Sequence, residues 1–457
     1  MMHQESRTRI ATIAIILLGL QYASSSALTA AAEQESASTQ DPISSALTSS
    51  KAAERRFHEH VVFLAHPALE GRLPGDEGSH IAEQLIARTF SQLGLNPAFD
   101  QGTYFQAFTF KQGGRFKSRD EARIVEGRNV GAILPGQGEL AEQWILVGAH
   151  HDHLGRGAFG SRRGAGMIHE GADDNASGTA AVLLAAEIIT TAVNNPELVD
   201  TPRRSVFFVT FSGEESGLNG SAHLAENLPM PIESIALMIN VDMIGRIQDR
   251  SVSANGTGTG STLNMLLDQV VGEGGLTVLR PSGLTSRSDH AEFYRRGVPV
   301  LFFTESTFPD EYHTPDDESW RINVRDGAAA SDIIARVALL ASITPEAPDH
   351  QKIDGFETGD GGPSLADMKV RFGIKPGNYG DVDPGIAVSG VSADTSAEDA
   401  GIMTGDRLLA WNGTPIEGIR EWMMMMTAHE PGDVVTVTLL REGAEIELPV
   451  MLKPRLE

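Results

Sequence analysis

Short apolar runs that stop abruptly at charged residues constrain this chain more than any other feature. Residues 143–149 (QWILVGA), 205–211 (SVFFVTF), 235–241 (IALMINV) and 298–304 (VPVLFFT) are each bounded by polar residues. Each is too apolar to be half exposed, which predicts interior strands. Between the first two lies 176–193, rich in Ala and Leu, which reads as a helix. The alternation predicts an α/β fold: a mixed central sheet flanked by helices on both faces. In such folds ligands collect at the carboxyl ends of strands.

The rest of the chain divides by composition. Arg7 and Arg9 precede an apolar run at 10–20, and small residues follow. That run is too short to span a bilayer and reads as an export signal over 1–32, with cleavage after Ala27 or Ala32. Residues 33–50 are rich in Ser, Ala, Thr and Gln and lack core periodicity, so a disordered leader is expected. A globular pattern covers 51–345, and a Pro-, Gly- and acid-rich linker covers 346–363. Over 364–457, strands at 386–391, 407–411, 434–440 and 445–452 surround a helix at 419–429, which predicts a small, mostly β domain. No other stretch reads as membrane-crossing, so no stable anchor is expected. The expected location is the periplasm or the exterior.

The net charge of -25 repels phosphate backbones and argues against a nucleic-acid partner. There is no cysteine. Disulfides, thiolate catalysis, Cys-based zinc sites and a lipid anchor on cysteine are therefore excluded. Any metal must be held by His, Asp and Glu.

Polar clusters sit at the predicted strand ends. They are 148–153 (GAHHDH), 171–178 (GADDNASG), 212–217 (SGEESG), 240–245 (NVDMIG) and 312–316 (YHTPD). Taken singly, each has a plain explanation. A lone His is commonly just hydrogen-bonded. Asp173 and Asp174 suit a helix cap, Glu214 and Glu215 a solvated loop, and Asp242 a turn. Taken together, they place many carboxylates on one sheet edge, which without a cation raises their pKa values and costs stability. A pair of divalent cations reverses that cost. Nitrogen and oxygen donors without sulfur suit catalytic zinc, with manganese or cobalt left open.

In this order the segments resemble the M28 family of co-catalytic zinc peptidases, over about 57–343 and including the opening 69–75 (LEGRLPG). The resemblance implies a zinc exopeptidase type of fold, two zinc ions per chain and peptide substrates. It implies that Asp174 bridges both metals, that His150 and Asp242 complete one site, and that Glu215 and His313 complete the other. Glu214 becomes the general base. Asp152, two residues after a ligand, is expected to hydrogen-bond the other nitrogen of His150. His151 and His153 are not family ligands and are expected to support the ligands from behind or to lie at the surface. The loop 156–171 is expected to shape the pocket mouth, and 110–142 is too short for the inserted domain some members carry. Residues 286–290 (SRSDH) resemble a segment near the pocket, and pinning a loop explains them equally well.

Acids around the site favour a cationic amine and hence aminopeptidase action. A carboxypeptidase would need an Arg or Lys; Arg246, Arg287 and Arg295 keep that reading open. The sequence also leaves open a glutaminyl cyclase relative and a catalytically inactive binding protein.

Residues 364–455 resemble a bacterial PDZ domain, through 371–374 (RFGI), 400–409 (AGIMTGDRLL) and Asn412-Gly413. Such grooves take a C-terminal peptide as an added strand, with backbone amides on its carboxylate. Phe372, Gly373 and Ile374 match that carboxylate loop. The Met run 423–426 lines the groove or fills the core.

Overall fold

The computed structural model describes residues 52–112, 123–157, 159–196, 198–270, 275–281, 283–306, 309–353, 356, 369–376, 385–416, 422 and 425–454. The expected signal peptide and leader, half of the 346–363 linker, Met423 and Met424 lie outside the described residues. The chain forms two compact units, divided near Asp354.

The first unit is built on a nine-stranded sheet. Its strands are β1 (Asn96–Pro97), β2 (Phe105–Gln112), β3 (Arg123–Leu134), β4 (Trp144–His150), β5 (Ser205–Phe211), β6 (Ile235–Val241), β7 (Ser251–Asn255), β8 (Thr277–Leu279) and β9 (Val300–Glu305). The order is β1-β3-β5-β4-β6-β9-β7-β8, with β2 on β3. The central strands β5, β4, β6 and β9 are mutually parallel. β3 and β7 flank them antiparallel. The sheet is thus mixed, and its buried parallel centre consists of the apolar runs.

Helices α1 (Ala52–Leu64), α2 (Glu77–Gln92) and α3 (Gly178–Val193) precede α4 (Asn219–Glu226), α5 (Leu263–Val270), α6 (His290–Tyr294) and α7 (Val324–Ile343). α1, α2, α3 and α7 share one core with Ile145, Val147, Phe208, Ile239 and Leu301. The other face packs on α6, where the Phe293 ring lies 6.2 Å from Phe211 and His290 stacks on Phe302 at 4.4 Å. Among the described residues, 172–193 is long and apolar enough to cross a membrane, contrary to the expectation that no further stretch is. Its most apolar 18-residue stretch is 78% buried, so its all-round apolarity is that of a core helix. Residues 346–353 lie along the first unit. Gly260 bridges His350, and Gln351 N donates to Thr259 O at 2.7 Å.

The second unit holds an antiparallel sheet, β11 (Ile374–Pro376), β12 (Ile386–Val391), β13 (Arg407–Trp411), β15 (Val434–Arg441) and β16 (Ala444–Met451), with β14 (Thr414–Pro415) on β13. β10 (Val370–Arg371) pairs with β17 (Lys453–Pro454). Phe372, Trp411 and Trp422 centre its core, with ring centroids 5.2 to 6.2 Å apart. Met426 joins that core, so this part of the Met run is packing. Gly373 turns with φ +96°, and a Cβ there would meet the Thr395 side chain at 2.2 Å.

Asp406 is buried in this unit. Burial alone would raise its carboxyl. Arg441 Nε and Nη2, at 2.7 and 2.6 Å, and Met403 N, at 2.8 Å, outweigh burial and hold it below the ordinary value. A folded-state pKa below the unfolded value, about 3.9 for Asp, gives stability that is present above that value and lost as pH falls through the folded one. Urea unfolding of this unit should therefore weaken on acidification below about pH 4, and Asp406→Asn should remove that part of the dependence. Equal acid sensitivity in both chains contradicts the assignment.

Candidate metal centre

The parallel strands deliver their side chains to one edge. β4 ends on His150, and the chain turns through His151, Asp152 and His153, all buried. After β5 come Glu214 and Glu215, after β6 Asp242, and beyond β9 the turn bearing His313. Asp174 enters from the turn Ala172–Ser177 that opens α3. That turn is irregular: Gly171 has φ +59°, and the Asp174–Asn175 peptide is cis. A Cβ at Gly171 would lie 2.2 Å from Asp174 O and 2.5 Å from the His153 ring, so only glycine fits.

The turn also clamps the exit from β6. Asn175 Oδ1 accepts from Met243 N at 3.2 Å, Ser177 Oγ from Ile244 N at 3.1 Å, and Asp173 Oδ1 from Gly245 N at 2.7 Å. Asp173 therefore holds the strand exit and faces away from the cluster of donors. Met243 and His313 sit at positive φ, 58° and 55°, a costly conformation for non-glycine residues that marks the turns beside Asp242 and His313 as over-determined.

Asp174 faces two ways. Its Oδ1 lies 3.3 Å from His150 Nε2, which is also 3.3 Å from Asp242 Oδ1. Its Oδ2 lies 3.1 Å from His313 Nε2, which is 3.0 Å from Glu215 Oε2. His150, Asp174 and Asp242 form one group of donor atoms close enough to share a cation. His153, Asp174 and Glu215 form another. His313 Nε2 is buried near two carboxylate oxygens yet lacks hydrogen-bond geometry to either. A ligand nitrogen aimed at a point between oxygens behaves in this way, and the donor set fits zinc.

Other contacts set these donors. Ser288 Oγ donates to Asp242 Oδ2 at 2.8 Å and accepts from Asn240 Nδ2 at 2.7 Å. The SRSDH segment thus touches Asp242, one of the expected ligands. Gly160 O faces His313 Nδ1 at 3.0 Å, leaving Nε2 for the cluster. Asp317 accepts from Asp173 N and Asp174 N at 3.0 Å.

The structure corrects one expectation and decides between two alternatives at another residue. The sequence predicts that Asp152 bonds His150 through its side chain. Its backbone carbonyl is instead the partner of Nδ1, at 3.2 Å, while its carboxylate is 3.8 Å away and accepts from Glu214 N at 3.2 Å. The turn after β4 swings the side chain toward the next loop, so Asp152 positions the backbone of Glu214. The sequence leaves His153 either beside the expected ligands or at the surface, and the structure places it in the first position. It is buried, with Nδ1 2.7 Å from Glu215 Oε1. The doubled His-x-His spacing is the signal for this contact, but spacing alone does not say which ring turns inward.

The charges split the carboxylates apart. Burial would raise Asp174, but the imidazoles of His150 and His313, one beside each of its oxygens, hold it well below its ordinary value. Burial and the Asp174 charge likewise oppose His313 and His153 at Glu215, which ends at about 2. Glu214 goes the other way. Burial, then the neighbouring Glu215, Asp289 and Asp242 charges, push it well above its ordinary value against the pull of His150. Two adjacent acids are thus pushed in opposite directions by their surroundings.

Fold and donors together define an α/β domain that gathers histidine and carboxylate donors on both sides of one aspartate. Residues 129–338 match the family model described as Peptidase family M28, and residues 370–452 match the PDZ domain model. The two matches follow one another along the chain, the peptidase model first and the PDZ model after it. It is 29% identical over 198 residues to a protein named "Probable leucine aminopeptidase" from Trichophyton verrucosum, covering 41% of this chain and 49% of that one. It is 29% identical over 203 residues to "Leucine aminopeptidase 1" from Grosmannia clavigera, covering 41% and 46%. The chain thus spans about half the length of the curated relatives it matches. BSAP, a zinc aminopeptidase from Bacillus subtilis, shares the fold of the first unit at 15% identity and a TM-score of 0.50, covering 66% of this chain and 98% of that one.

Replacing Asp317 by Ala orphans the Asp173 and Asp174 amides. Each unsatisfied buried donor costs about 1–3 kcal/mol, so thermal unfolding of the first unit should shift clearly downward. Asp317→Asn, which keeps an acceptor, should lose less. A shift in Asp317→Ala no larger than that of a surface substitution contradicts the role.

Proposed function

We propose that the chain is an exported zinc aminopeptidase whose two metal ions share Asp174. The observation that supports this most is the opposed pair of contacts at Asp174, with Oδ1 toward His150 and Oδ2 toward His313. His150 and Asp242 would hold one ion, and Glu215 and His313 the other. Divalent ions held there would supply a water of lowered pKa and a Lewis acid for the scissile carbonyl.

The side chains do the rest. Glu214 is raised by burial and by its acidic neighbours, which suits a group that takes a proton and returns it to the leaving amine. Its neighbour Glu215 is committed to His313 and His153 and is not free for that work. Asp152 fixes the Glu214 backbone, so the base keeps its place while its proton moves. Acids around the site favour the cationic amino end of a peptide, which supports removal of residues from that end. The PDZ domain would receive the carboxylate end of a peptide or partner at 372–374, where Phe372 anchors the loop in the core and Gly373 makes the turn.

Incubating the protein with a short peptide, with and without a zinc chelator, and weighing the products tests the reading. Stepwise loss from the amino end, abolished by chelator and restored by zinc, is expected. Loss from the carboxyl end, cyclisation of an amino-terminal Gln, or an unchanged peptide each contradicts it. Glu214→Gln should retain zinc and lose roughly 10²- to 10⁴-fold in turnover. Full activity in that variant removes Glu214 from the chemistry.

A further inference from the structure

The LEGRLPG segment lies far from the ligands in sequence and beneath them in space. Arg72 is fully buried, and its guanidinium spends its donors on backbone carbonyls. Nε donates to His151 O at 2.8 Å. Nη1 donates to Leu64 O and to Glu170 O, both at 2.6 Å. Nη2 donates to Gly171 O at 2.8 Å. His151 follows ligand His150 directly, and Gly171 opens the turn that presents Asp174. One planar group therefore ties the His150 turn, the Asp174 turn and the end of α1 together.

The backbone of the segment completes the joint. Arg72 O accepts from His153 N at 3.3 Å, and Gly71 O accepts from Gly155 N at 3.0 Å. A Cβ on Gly71 would lie 2.3 Å from His169 O and 2.6 Å from Gly155 O. Glu70, Gly71 and Arg72 all have positive φ, at 47°, 75° and 47°. Two non-glycine residues in that region are costly and persist only where surrounding contacts over-determine them. The contacts that do so run to the ligand-bearing turns.

We infer that Arg72 is a positioning residue for the metal centre, setting the His150 turn and the Asp174 turn at the spacing that a shared aspartate needs. The inference rests on the two-metal reading above. Arg72 touches neither substrate nor metal in this role; it acts through backbone carbonyls. A lysine retains the charge but not the planar fork that reaches these carbonyls together, so the substitution separates geometry from charge.

The test uses the full chain, with zinc as the probe, read by competition with a chromogenic chelator. Circular dichroism on heating is recorded in parallel. The chains are the unmodified protein, Arg72→Lys and Arg72→Ala, the last with and without millimolar methylguanidinium. Groups that orient metal ligands typically contribute 10- to 100-fold in affinity, so Arg72→Lys should fold and bind zinc at least ~10-fold more weakly. Arg72→Ala should bind more weakly still and recover with methylguanidinium.

A merely structural role predicts a lowered melting temperature with affinity within about twofold of the unmodified chain, and that result overturns the inference alone. If neither variant folds, even with methylguanidinium, Arg72 is a folding residue and the inference is wrong. Failure of the unmodified chain to bind zinc sinks the metal reading, and the inference with it.

Discussion

The first unit depends on an electrostatic problem that its topology creates. Parallel strands β5, β4, β6 and β9 end on one edge, and the turns beyond them bring Asp152, Glu214, Glu215, Asp242 and Asp174 into a buried space. Like charges at low dielectric cannot all remain ionised unpartnered. The protein meets part of this with imidazoles. His150 and His313 flank Asp174, and His153 stands against Glu215. The guanidinium of Arg72 feels Asp152, Asp317, Asp174 and Glu215, and although burial draws it down to about 10 it stays charged at neutral pH. The remainder is what divalent cations would supply.

That problem explains features that otherwise look unrelated. The irregular Ala172–Ser177 turn exists because Asp174 must point back toward the strand ends while Asp173 points at Gly245. A regular helical start would carry the two side chains to fixed neighbouring positions and could not part them so widely. Asp317 needs no metal: its carboxylate takes the amides of that same turn and holds it open. Gly160 O and Ser288 Oγ then fix a nitrogen of His313 and an oxygen of Asp242 from outside.

Much of this is legible in the sequence, for definite reasons. The runs 205–211 and 235–241 are strands at those bounds because parallel interior strands are apolar on both faces and stop where polarity returns. Strands 386–391 and 407–411 also match, since turn residues punctuate them. The site's members are readable because chemistry-bearing residues follow those strand ends. What spacing cannot carry is direction. It does not say that Asp152 turns its carboxylate to Glu214 or that His153 turns inward. Asp317 directly follows the 312–316 cluster, yet its role is invisible there, because accepting backbone amides leaves no mark in sequence. Arg72 is hidden more deeply: its partners are carbonyls, which every residue has.

Whether two metals share Asp174 is tested most directly in a crystal of the zinc-loaded protein, with diffraction recorded on both sides of the zinc absorption edge. Two anomalous peaks are expected, one beside Oδ1 near His150 and Asp242, the other beside Oδ2 near His313 and Glu215. A single peak, or peaks that leave either oxygen of Asp174 without a metal, would contradict the sharing.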